Sequence, residues 1–126
     1  MSFTNFLETE ILDHVFAGAA YTAPSTLYLG LFTAAPGEAG GGTELSGSGY
    51  VRKAITFTTS GDTTSNNAAV EFPTATGSWG TVTHVGVFDA STSGNLMVYA
   101  TLSASKAVAS GDVFRVPSGD LDITLN

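Results

Sequence analysis

The chain has 126 residues, enough for one domain with a core of its own and too few for two ordinary ones. Apolar residues make up 43%, which excludes a disordered composition, while charged residues make up only 12%, well below the usual share. The net charge is −7, and the four cations, Arg52, Lys53, Lys106 and Arg115, are too few for a phosphate-binding stripe, so nucleic acid and anionic membrane are not expected as partners.

There is no Cys, so disulfides and thiolate metal centres are excluded and the fold must stand on burial and hydrogen bonds. Thr, Ser and Gly supply the polarity that charge does not, a composition that leans toward subunits packing on one another.

In chain order, MSFTNFLETEILDHVFAGAA opens with a predicted helix over 1–18. Apolar residues at Phe3, Phe6, Leu7, Ile11, Leu12, Val15 and Phe16 keep the spacing of one buried face. Ser2 or Thr4 serves as N-cap, Glu8 and Glu10 lie where the helix dipole favours acids, and Gly18 and Pro24 stop the helix. The segment has no Lys or Arg, so it is not expected to be a secretory signal, and no stretch approaches a membrane span.

STLYLGLFT (25–33) is the first predicted strand, with Leu27, Leu29 and Leu31 on one face and Tyr28 and Phe32 on the other. Two apolar faces are expected of a central strand or of one that meets another subunit. APGEAGGGTELSGSG (35–49) is a Gly- and Ser-rich loop, expected to be the most flexible part of the chain. YVRKAITFTT (50–59) alternates as one strand, with Val51, Ile55 and Phe57 sharing a face. SGDTTSNN (60–67) reads as a turn, and AAVEFPTA (68–75) as a short strand that Pro73 stops or places at an edge. GTVTHVGVFDA and GNLMVYATLSA (94–104) form a hairpin through ASTSGN. GDVFRVPSG (111–119) and DLDITLN (120–126) are the last strands, the latter with Leu121, Ile123 and Leu125 inward. About seven to eight strands at short, regular spacing predict an all-β fold. The expected architecture is an antiparallel, jelly-roll-like β-sandwich, a single domain over 1–126 with one N-terminal helix.

The stretch GSWGTVTHVGVFDA holds Trp79, His84 and Asp89 close together. On a regular strand His84 shares a face with Val82, Gly86 and Phe88, while Asp89 falls opposite or in the turn, so no His–Asp dyad is expected. His14 has no acid one helical turn later, and two scattered His do not make a metal site. Asp62 and Glu71 lack the spacing and the sixth-position Gly of a calcium loop. Ser48 in SGSGY has no helix behind it, and no P-loop or dinucleotide fingerprint is present. The expectation is a protein that is not an enzyme and needs no cofactor or metal. Trp79, flanked by Gly77 and Gly80, reads first as a core or interface anchor; with Tyr50 it is also the candidate for ligand contact, such as a cell-surface glycan.

Four segments, LYLGLFTAAPG, ELSGSGYVRKAITF, NNAAVEFPTATGSWGTVTHVGVFDA and GNLMVYATLSASKAVASGDVFRVPSGDLDI, carry a resemblance over residues 3–123. Their order, a Pro-Gly loop, Gly-Tyr-x-Arg, Phe-Pro, Trp-Gly and Gly-x-Phe-Asp, resembles a family of small tailed-bacteriophage virion structural proteins, labelled tail fibre, minor structural or capsid decoration. The resemblance implies a place in the virion, assembly in the host cytoplasm, and phage capsid or tail proteins as partners. It fits a capsid decoration, cement or head-fibre-like subunit on the particle exterior, acting as a homo-oligomer with a trimer favoured; the alternative is a glycan-binding host-recognition module of a tail fibre. The expected assembly contacts are Phe3, Phe6, Leu7 and Ile11 of the helix and Tyr28 and Phe32 of the two-faced strand.

Overall fold

The structure, a computed structural model, describes residues 1–125. The chain starts with a short strand β1 (Ser2–Phe3) and helix α1 (Asn5–Phe16). Strands β2 (Leu27–Ala34), β3 (Thr43–Glu44), β4 (Lys53–Ile55), β5 (Phe57–Ser60), β6 (Thr63–Asn66) and β7 (Val70–Glu71) follow. The long strands β8 (Gly80–Phe88) and β9 (Leu96–Val108), and the short β10 (Arg115–Val116) and β11 (Asp122–Thr124), complete it.

The principal sheet has the order β1-β9-β8-β2-β3, with β4 on the same side of β2 as β3, and all its pairs are antiparallel. Two smaller antiparallel sheets, β11-β6-β5 and β10-β7, supply the opposing layer. Leu29, Leu31, Val82, Val85, Val87, Val98 and Val108 of the principal sheet meet Ile55, Val70, Phe72, Trp79, Phe114, Val116 and Leu121 in one buried cluster. The fold is the expected all-β, sandwich-like one, built from more and shorter strands than the periodicity suggests.

Several boundaries differ for physical reasons. The helix begins at Asn5 and not at the first residue, because Ser2 and Phe3 pair with Tyr99 and Val98 on the edge of the principal sheet. Its apolar face is not buried: no helical residue is fully covered, and Leu12, Val15 and Phe16 are 57%, 61% and 80% exposed. The segment 50–59 is not one strand. It changes layers at Thr56, so that β4 joins the principal sheet and β5 the opposing one, and Val51 is left exposed. The expected turn at 60–67 narrows to a hairpin tip at Gly61, whose φ of 63° suits Gly, followed by the Thr-rich β6. Leu121 and Ile123 face inward, but Leu125 is exposed. The 35–49 loop is pinned: Pro36 is buried, and Leu45 and Asn5 donate backbone N–H groups to the carbonyls of Leu31 and Glu38.

The two apolar faces of β2 are both explained within the chain. Leu29 and Leu31 enter the main core, while Phe32 lies on the other side of the sheet with Phe88 and Leu96. The Phe32 and Phe88 rings stack at 5.9 Å and 14° across the paired glycines Gly30 and Gly86. A Cβ on Gly30 would stand 2.7 Å from the Phe88 ring, and one on Gly86 would stand 2.5 Å from Leu96 Cδ1 and 3.0 Å from the Phe32 ring. The two glycines are therefore the floor on which the aromatic pair lies.

Candidate assembly surface

Most of the residues singled out from the sequence are brought into two groups, one inside the sandwich and one on an N-terminal arm. Trp79 is only 5% exposed, and its Nε1 donates to the Ser48 carbonyl at 2.8 Å. It stands edge-on to Tyr50 at 5.6 Å; Tyr50 stacks on Phe72, and Phe72 meets Phe114 edge-on. The four rings form a column through the core. The Tyr50 hydroxyl donates to Glu44 Oε2 at 2.7 Å and accepts the Leu31 N–H at 3.0 Å. Burial first, and the Glu44 hydrogen bond second, hold its phenol well above the usual tyrosine range. Trp79 thus acts as a core anchor in the folded chain, buried beyond the reach of a stacking sugar, while Tyr50 is half-buried with its ring against Phe72 and Trp79.

The stacked Phe32 and Phe88 are closed over by Arg52, whose guanidinium carbon lies 3.4 Å from the Phe88 ring centre. Arg52 also grips Glu44 through two parallel bonds of 2.8 Å, and donates from Nη1 to the carbonyls of Ala90 and Ser93 at 2.9 and 2.7 Å. One side chain therefore ties the 43–52 segment to the β8–β9 turn, over an aromatic floor. Composition and periodicity did not single out this network, although Tyr50 and Arg52 are the fixed members of the Gly-Tyr-x-Arg motif. Phe32, 2% exposed beneath it, is not placed to touch another subunit; Tyr28 is half-buried.

His84 and Asp89 are kept apart, but not quite by regular alternation. The β8–β9 ladder slips between Val82 and His84, where residues 102–105 stand opposite Thr83 alone. Val82 is thereby turned into the core, while His84 stays on the side of Gly86 and Phe88, correcting the expectation that all four share a face. His84 Nδ1 pairs with Thr83 Oγ1 at 2.8 Å. The Asp89 carboxylate accepts the Asn95 backbone N–H and side-chain amide, closing the hairpin turn. Among the described residues no three of His, Asp and Glu converge as a metal cluster.

The N-terminal arm is organised by Thr4, which is 2% exposed. Its hydroxyl caps α1 by accepting the Leu7 N–H, and itself lies 2.6 Å from the Leu96 carbonyl, to which it donates. Its backbone N–H donates to the Met97 carbonyl at 2.9 Å. Phe3 and Leu7 are half-buried and pack against the main core; Phe6 meets Tyr21 edge-on at 6.5 Å; Ile11 is half-buried. Beyond them the helix stands off the body, and its last turns present Leu12, Val15 and Phe16 to solvent. Among the described residues, Leu12, Val15 and Phe16 are the exposed large hydrophobics that stand together on one element, and they have no packing partner inside one copy. Among the described residues no helix is long and apolar enough to cross a membrane.

A family model described as Podophage GP4 fiber I protein gp80 matches residues 2–124. No curated protein matches the chain.

Proposed function

The chain belongs to the podophage fiber I protein family, a family of phage virion structural proteins, and from that premise we propose that it is an adhesive subunit of the particle exterior. It acts as a homo-oligomer, a trimer, in the manner of a capsid decoration or head-fibre-like protein, with no catalytic step of its own. The observation that carries this reading is the helix end: Leu12, Val15 and Phe16 are exposed together on an element otherwise held only at its base. Burying such a row against neighbouring copies removes apolar surface from water, the ordinary source of subunit cohesion. Half-buried Phe6, Leu7 and Ile11 extend the row toward the body. The alternative, a glycan-reading tail-fibre tip, is disfavoured by the burial of Trp79 and the bonded state of Tyr50.

Light scattering on the purified chain should give an oligomer mass, and adding the protein to particles that lack it should raise their melting temperature. Leu12→Ser/Phe16→Ser should abolish the first effect and weaken the second. Binding to host cells with no binding to particles, lost on Trp79→Ala, would replace this reading by host recognition.

A further inference from the structure

The arm formed by residues 1–21 is attached to the rest of the chain in a particular way. The bonds that seat it on the body are distant in sequence: β1 with Val98 and Tyr99, Thr4 with Leu96 and Met97, Asn5 N–H with the Glu38 carbonyl, the Met1 ammonium with the Asp122 carbonyl, and the Tyr21 hydroxyl with Met97 Sδ. Within itself the arm is cohesive, since the Tyr21 ring lies edge-on to Phe6 and the Tyr21 N–H donates to His14 Nδ1 at 3.0 Å. Between this unit and β2 lies only the connector 22–26, with no regular structure, exposed except for the half-buried Pro24 at its centre. Where the arm meets the sandwich the packing is incomplete: an open, almost wholly apolar recess of about 290 Å³ lies between Phe3 and Leu7 of the arm and Leu27, Phe57, Met97 and Ile123 of the body.

We propose that this arm is exchanged in the assembled protein, lying on the body of a neighbouring copy with its Phe3 and Thr4 against that copy's Val98 and Met97. The proposal rests on the homo-oligomer reading above and adds the means of assembly. Exchange preserves each arm–body contact, so it forfeits only the connector's closed path. What it adds is a second body beside the helix end: the copy from which the arm crosses lies next to Leu12, Val15 and Phe16, which the arm–body contacts alone leave exposed. The connector suits the crossing: an extended chain spans about 3.3–3.6 Å per residue, so 22–26 can bridge adjoining bodies but not separated ones. The contact runs from the arm of one copy to the sheet edge of the next, a head-to-tail arrangement that closes into a ring when the rotation permits, in keeping with a trimer.

The absence of Cys makes the test clean. Ser2 and Tyr99 are opposite one another in the β1–β9 register. Directly opposed antiparallel residues lie about 4.5–5.5 Å apart at Cα, within disulfide range. The double variant Ser2→Cys/Tyr99→Cys should, after refolding and oxidation, run on a denaturing non-reducing gel as linked trimers. A co-refolded mixture of the Ser2→Cys and Tyr99→Cys single variants should give Ser2–Tyr99 cross-links, which only contact between copies can form. Oligomers by light scattering whose oxidised double variant runs as single chains would overturn the exchange and leave the oligomer standing. Single chains by both measurements would overturn both readings. No cross-link in any combination would show that β1 does not occupy the β9 edge and would also overturn the exchange.

Discussion

Arg52 concentrates several small interactions on one side chain that is 9% exposed. Arg52→Ala removes the fork on Glu44, two carbonyl bonds and the cover over Phe88, and leaves a half-buried carboxylate to Tyr50 alone. Breaking such a pair from one side costs about 3–5 kcal/mol when it is buried, and the 22% exposure of Glu44 places the expected loss at the lower end. Arg52→Lys keeps the charge but not the fork or the planar stack, so it should recover only a minor part. Urea unfolding midpoints decide this; a loss under about 1 kcal/mol for the Ala variant would mean that the pair behaves as a surface ion pair. Tyr50 makes a second prediction at this scale. Because its folded pKa is raised above the ordinary 10.0, its stabilising contribution is complete below pH 10 and is lost as pH rises further, when the unfolded chain releases the phenolic proton first. Stability should therefore fall above pH 10 by up to about 1.4 kcal/mol per pH unit from this group. Tyr21 shifts in the same direction, by burial first and then by Asp89 and Glu10, so Tyr50→Phe should flatten the alkaline slope without abolishing it. An unchanged slope between pH 10 and 12 in that variant would assign the effect elsewhere.

Elements in this chain are defined less by local pattern than by which layer they can reach. The helix illustrates it: its spacing is right, yet its stability rests on the Thr4 cap and the two carbonyls that Thr4 engages. Thr4→Ala loses both the cap and the Leu96 bond, for an expected destabilisation of about 1–2 kcal/mol, whereas Leu12→Ser/Phe16→Ser should change monomer stability by no more than about 0.5 kcal/mol. Thermal melts at dilute protein concentration separate the two. The long elements were legible in the sequence because period and length agree: β2, the β8–β9 hairpin and the alternation from Leu121 to Ile123 stand nearly where hydrophobic spacing puts them. What alternation cannot carry is a change of layer or of register. Thr56 passes the chain from one layer to the other without breaking the pattern of 50–59, and at the ladder slip between Val82 and His84, Val82 leaves the face that His84 keeps with Gly86 and Phe88. The Thr-rich β6 was hidden for a different reason: its side chains pair with Thr59 and Thr124 across the strands, and such hydroxyls look like a turn when read singly. Among the candidate residues, Trp79 was legible as an anchor, while Glu44, Tyr50 and Arg52, though close in sequence, meet across an irregular loop to which neither the helical nor the strand period applies.

At the scale of the whole molecule, charge and apolar surface make opposite demands on assembly. Each copy carries −7, so the proposed trimer would bring −21 together (3 × −7), a repulsion that is long-ranged at low ionic strength. The cohesive surface proposed above is the apolar end of α1, with Glu8, Glu10 and Asp13 on the same helix. Salt weakens the repulsion between these acids while leaving the apolar contact intact, because screening acts over about 30 Å at 0.01 M and about 8 Å at physiological strength. Association should therefore tighten as sodium chloride rises, the reverse of what an interface of ion pairs would do. Light scattering or sedimentation of the purified chain across that range measures it. Dissociation on adding salt would mean that the cations left outside the Arg52 network, Lys53, Lys106 and Arg115, hold the copies together, and the helix end would lose its place as the adhesive surface.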